Sequence, residues 1–116
     1  MSSGDNFNIK VPPRFSGINF PIWKIKMSVF LKSLGRDIHL AIENEFKEPK
    51  EFDDVALKSY EANAKATYAL MQALNDDDLS RIIYCKSAYE IWESLITTHE
   101  GTSQVKKAKI DLLMSE

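Results

Sequence analysis

The stretch FSGINFPIWKIKMSVFLKSLG, residues 15–35, carries eleven apolar side chains and three lysines between Ser16-Gly17 and Gly35. Trp23, Met27, Phe30 and Leu34 recur at spacings of four, three and four, which places them on one face of an α-helix. Asn19 suits the N-cap, and Pro21 falls in the first turn, where a missing N–H is harmless. Gly35 offers a left-handed stop. The stretch therefore predicts a helix from about Phe20 to Leu34. Ile22, Ile25, Val29 and Leu31 widen the apolar face until only Lys24, Lys26, Ser28, Lys32 and Ser33 are polar. Such a helix is either the centre of a small helical core or a surface that meets another protein. Trp23, Met27, Phe30 and Leu34 are the predicted core anchors. The wider flank needs cover from the chain before it or from the last helix.

Upstream, residues 1–14 read as an extended arm, because Pro12 and Pro13 impose an extended path. Downstream, residues 15–116 read as one helical domain. A short helix is expected from Asp37 to Asn44, with Ile38, Leu40, Ala41 and Ile42 as its apolar part. ENEFKEPKEFDD, residues 43–54, is an acidic connection broken at Pro49. Asp53 or Asp54 should cap a long helix through about Leu74, with a stripe of Leu57, Tyr60, Ala64, Thr67 or Tyr68, Met71 and Leu74. Its alanines favour helix and close approach. Asn75 caps a short helix to about Tyr84 whose first-turn carboxylates suit the helix dipole. SAYE at 87–90 has the form of a capping box. It opens a helix that carries Ala88, Ile91, Trp92, Leu95 and Ile96 and ends before Gly101; Trp92 and Leu95 are its predicted core anchors. A sixth helix begins at Thr102 or Ser103. No strand pattern is visible. The expected fold is all-α, a compact bundle of five to six helices with an extended N-terminal arm.

At 116 residues the chain has room for one domain with a core of its own. The net charge of −2 argues against direct nucleic-acid binding. The charge is unevenly placed: residues 1–40 carry +4, residues 41–80 carry −6, and the remainder is neutral. Such asymmetry fits either solvated faces or a polarity in which the basic face of one copy meets the acidic face of the next. A single cysteine, Cys85, precludes an internal disulfide and points to a reducing compartment. With no membrane-length apolar run and no signal-peptide core at the start, a cytoplasmic location is expected, nuclear presence being equally compatible.

Catalytic and ligand-binding signals are sparse. His39 and His99 each lack a second ligand at three or four residues, and Cys85 has no Cys-x-x-Cys partner, so neither metal nor cofactor is predicted. Asp76, Asp77 and Asp78 lack the alternating spacing and turn glycine of a calcium loop. Cys85 reads as a small buried or boundary thiol. There is no glycine-rich phosphate loop and no G-x-S-x-G elbow. Lys106, Lys107 and Lys109 alternate with Val105, Ala108 and Ile110 as the wet side of an amphipathic helix. The expectation is a protein that is not an enzyme.

The ordered set of motifs resembles the N-terminal, capsid-like region of the Gag polyprotein of copia-type LTR retrotransposons, those of plants especially. FSGINFPIWKIKM is similar to that family's opening, a Gly-x-Asn-aromatic turn before a helix with Trp and, four residues on, Met. Here these are Gly17, Asn19, Phe20, Trp23 and Met27, with Phe20 where tyrosine is commoner. LNDDDLSRIIYCKSAYEIWESLITTHEGTSQV resembles the family's acidic turn, short helix, cap, Trp-x-x-Leu helix and glycine loop, and KKAKIDLLMSE the helix after it. The resemblance spans roughly residues 12–116. It implies a retroviral-capsid-like N-terminal half that self-assembles with copies of itself and with a downstream Gag region. The chain lacks that second helical half and the Cys/His knuckle that binds RNA, as expected of a fragment or a domesticated derivative.

Within the last helix, Val105, Ala108 and Leu112 form an inward stripe, while Ile110, Leu113 and Met114 lie on another flank and are the candidate interface. Two functions compete. One is a structural capsid-type domain that makes homotypic helix–helix contacts; the other is a helical module that recognises a heterologous cellular or foreign protein.

Overall fold

In the computed structural model, which describes residues 11–101, every regular element is a helix. They are α1 (Phe20–Leu34), α2 (Arg36–Glu43), α3 (Asp54–Ala73), α4 (Asp76–Ile82) and α5 (Ala88–Glu100). The expected sixth helix, with Ile110, Leu113 and Met114, lies outside the described residues, as does most of the expected arm.

Three of the five starts are made by short polar side chains that accept an otherwise unpaired amide. Asp53 accepts from Ala56 N–H at 2.8 Å, Asn75 from Asp78 N–H at 2.8 Å, and Ser87 from Glu90 N–H at 3.2 Å. The expected capping box at 87–90 is shifted by one residue, since the Glu90 carboxylate reaches back to Lys86 N–H. Asn19 departs from expectation too. Its backbone is left-handed, at φ 58°, and its side chain makes no cap bond. Asparagine is suited here because it tolerates that conformation; its carbonyl alone receives Ile22 and Trp23 N–H.

Gly35 ends α1 and starts α2 as one residue. It adopts φ 153°, ψ 152°, a conformation essentially reserved for glycine, rather than the left-handed helical form expected. A side chain there would meet only Ile38 at an ordinary 3.7 Å, so the constraint is conformational and not one of space.

α2 packs against α1, α3 and α5, and α3 against α5. The buried face of α3 is Ala62, Ala66, Ala69, Leu70 and Ala73. Four alanines let α2 and α5 come close, with Ile42, Ala88, Ile91 and Leu95 filling the space between. The expected stripe of α3 is thereby corrected: Leu57, Tyr60, Tyr68 and Met71 all face solvent. Leu74 alone of that set is buried among the larger side chains. α1 and α5 meet differently, through long side chains. Trp23 and Trp92 lie 5.9 Å apart between ring centres, and Lys24 reaches Glu100 at 2.8 Å.

On α1 the inward residues are Phe20, Trp23, Met27 and Leu31. Phe30 and Leu34, expected as anchors, are half-buried at the core's edge, and Leu31 takes the inward place four residues after Met27. The face is rotated because the wall opposite Phe30 and Leu34 is an open groove. The described part of the expected arm is held down by two long-range hydrogen bonds. Trp23 Nε1–H donates to the Pro13 carbonyl at 2.7 Å, and Phe15 N–H donates to the Ala73 carbonyl at 2.8 Å. The second satisfies a carbonyl at the C-terminus of α3.

Trp23→Ala should cost about 3–5 kcal/mol, since it removes a buried aromatic and leaves the Pro13 carbonyl unmatched. Gly35→Ala should cost about 1–3 kcal/mol through backbone strain alone. Urea unfolding followed by far-UV circular dichroism measures both; an unchanged midpoint for either contradicts its assigned role.

Candidate interaction surface

Among the described residues, polar groups capable of chemistry form two small clusters, each linking elements of the bundle. In the first, Ser28 Oγ lies 3.2 Å from His39 Nε2, and His39 Nδ1 lies 3.6 Å from Glu43 Oε1. The order Ser–His–carboxylate is that of a nucleophile, a base and its orienter. Catalysis also needs free N–H donors beside the nucleophile to hold an oxyanion. Ser28 sits in the middle of α1, where amides are committed to helix carbonyls, and Ser28 and His39 line none of the described pockets. The trio ties α1 to α2.

In the second cluster, Asp78 is 2% exposed and its Oδ1 lies 2.8 Å from His99 Nε2 and 3.2 Å from Arg81 Nη1. His99 also stacks on Phe20, at 5.0 Å between ring centres and 22° between planes, and meets Phe15 edge-on at 4.8 Å. This histidine, which has no ligand partner nearby in sequence, joins α4 and α5 to the Phe15–Phe20–Trp23 aromatic group. Asp78, expected only as a first-turn carboxylate, is buried by the same contacts. Nothing in sequence pairs residues 21 positions apart, so neither role was legible.

Burial, and then the neighbouring Glu90 carboxylate, raise the pKa of Cys85, so it remains a protonated thiol at neutral pH. Among the described residues no group of His, Cys, Asp and Glu side chains could hold a metal ion. None of the described helices is long and apolar enough to cross a membrane.

What the described surface offers is apolar area. Ile22, Ile25 and Val29 of α1 are 54%, 65% and 56% exposed and point opposite to Met27. Ile18, just before the helix, is also exposed and lines a shallow hollow with Ile22 and Lys26. Residues 14–36 contain five cations and no carboxylate. Arg14, Lys26, Lys32 and Arg36 are exposed, and Lys24 is the one engaged with Glu100.

A second apolar patch surrounds the start of α3. Phe52 meets Tyr60 edge-on at 5.4 Å, and Phe46 approaches the same ring at 6.3 Å. Phe52, Val55, Leu57 and Tyr60 are all exposed. The stretch that holds this patch, residues 43–61, has seven carboxylates against three lysines. The outward placement of Leu57 and Tyr60 had a signal in sequence: alanines 62, 66, 69 and 73, spaced four, three and four, form a competing stripe.

Between the two helices lies a groove of about 320 Å³, lined by Pro12, Phe30, Leu34, Ile38, Tyr68 and Ala69 among others. Phe30 and Leu34 are its floor on the α1 side. Of the other predicted anchors, Trp23, Met27, Trp92 and Leu95 are buried.

Residues 27–115 match the family model described as gag-polypeptide of LTR copia-type. No curated protein and no solved structure matches the chain.

The Asp78–His99 contact can be weighed by a double-mutant cycle. Asp78→Ala and His99→Ala should each destabilise, with a coupling of about 1–3 kcal/mol between them. Additive losses, measured by denaturant unfolding, would reduce the contact to a neighbourly one.

Proposed function

The chain belongs to the copia-type LTR gag-polypeptide family, and from that membership we propose that it is a structural assembly domain, without catalytic activity, acting through helix–helix contacts. Its partners are copies of itself and the Gag region downstream. The outward apolar face of α1 is the observation that carries this reading. Ile22, Ile25 and Val29 add nothing to the described core, yet three exposed aliphatic side chains on one stripe are what a helix presents to another protein. The described core is closed without them, so in this reading the face is available for association at no cost to that core.

The other surfaces agree with a protein-binding role. Among the described residues the exposed cations of α1 are spread along an apolar stripe, and carboxylates outnumber cations over the whole sequence, so phosphate neutralisation would be slight and direct RNA binding is not part of the proposed function. Ser28, His39 and Glu43 act as a structural tie in this reading. The setting is cytoplasmic, where Cys85 stays reduced.

Light scattering across a dilution series from about 10 μM to 1 mM should show the mean mass rising above that of the monomer. A strictly monomeric protein over that range, captured by a heterologous partner through α1, would replace the assembly reading with that of a recognition module.

A further inference from the structure

The two exposed apolar patches differ in the charge that borders them. The α1 stripe lies in a segment with five cations and no carboxylate. The Phe52–Leu57–Tyr60 patch lies within residues 43–61, whose seven carboxylates and three lysines give a net charge of −4. Both patches point away from the core, because each helix turns its opposite face inward: Met27 and Leu31 on α1, Ala62 and Ala66 on α3. They cannot meet within one chain. We infer that they meet between chains, the basic-bordered stripe of α1 in one copy packing on the acidic-bordered patch at the start of α3 in the next. The inference rests on the assembly reading above and adds to it the two faces and their polarity.

Charge excludes the obvious alternatives. α1 against α1 of a second copy would oppose Lys26 and Lys32 to their own equivalents, and the α3 patch against itself would oppose carboxylates such as Glu48 and Glu51. Like net charges facing each other disfavour both symmetric pairings, and the unlike pairing sets a net positive border against a net negative one. A contact between two different faces does not saturate at a dimer. It continues until a ring closes or a filament grows.

Size points the same way. Ile22, Ile25 and Val29 against Phe52, Leu57 and Tyr60 cover well under the roughly 800 Å² per partner of a stable dimer. A single junction is therefore weak and salt-sensitive, and firm assembly depends on many junctions acting together.

The polarity gives a test that a symmetric contact cannot pass. Ile25→Gln with Val29→Gln disables only the α1 face, and Leu57→Gln with Tyr60→Gln only the α3 patch. All four positions are at least 42% exposed, so both variants should keep the wild-type melting temperature. Each alone should lose growth beyond the monomer. Mixed one to one, they should form a dimer and nothing larger, because one intact face of each kind remains.

A second pair covers the case in which a glutamine variant unfolds. Lys26→Glu with Lys32→Glu should abolish association, and so should Glu48→Lys with Glu51→Lys. Their mixture should regain it. If wild-type protein associates but neither mixture recovers, the α1-to-α3 pairing is wrong while the assembly reading stands. If wild-type protein stays monomeric to about 1 mM, the assembly reading fails and this inference with it.

Discussion

Trp23 must meet two demands together: its ring needs burial, and its indole N–H needs an acceptor. The acceptor is the Pro13 carbonyl, which has no helical partner to satisfy it. The ring is met by Phe15 at 5.3 Å, Phe20 at 5.6 Å and Trp92 at 5.9 Å. One side chain thus fixes the path of residues 13–15, the start of α1 and the spacing of α5. Proline at 13 suits the role, because it donates no N–H of its own and holds the carbonyl in an extended segment. Phe15, placed by that segment, then closes on the end of α3 through its own N–H.

Two packing regimes follow from this arrangement. Around α3 the side chains are small, and α2 and α5 approach through alanine. Around Trp23 they are large, and helices are held apart by tilted aromatic rings and by the Lys24–Glu100 ion pair. The change of scale has a geometric result. Alanine faces let backbones come close, whereas rings of different tilt fill the wider space between α1 and α5. Asn63 joins the regimes, accepting the Ala88 N–H at 3.0 Å at the first turn of α5.

Much of the fold was legible because local chemistry dictates where helices begin and stop. Asp53, Asn75 and Ser87 are caps in sequence and in structure, and Gly35 and Gly101 are stops in both. Which face turns inward was legible where one stripe was plainly heavier, as for Trp23 and Met27. It was misread on α3, where the larger side chains suggested the core and the alanines were the core. Apolar periodicity measures area, whereas close helix packing rewards smallness, and on α3 the two criteria select opposite faces. The proposed interaction surface was half legible. The charge asymmetry and the breadth of the α1 face stood in the sequence, but only burial could separate Leu31, which is inside, from Ile25, which is outside. Asp78 and His99 belong to contacts made by tertiary folding, and no local pattern announces them.

The Trp23–Trp92 contact also sets a schedule. Trp92 lies about 70 residues after Trp23, so at roughly 5–20 residues per second a ribosome needs several seconds to deliver it. During that time α1 and α2 can already form, since Gly35 joins them directly and their contacts are local. The aromatic face of α1 must then wait, uncovered, for α5 to be translated. In that interval the nascent chain shows apolar surface on both sides of the same helix. Only completion of α5 hides one of them, so synthesis itself decides when this helix has a single face to offer.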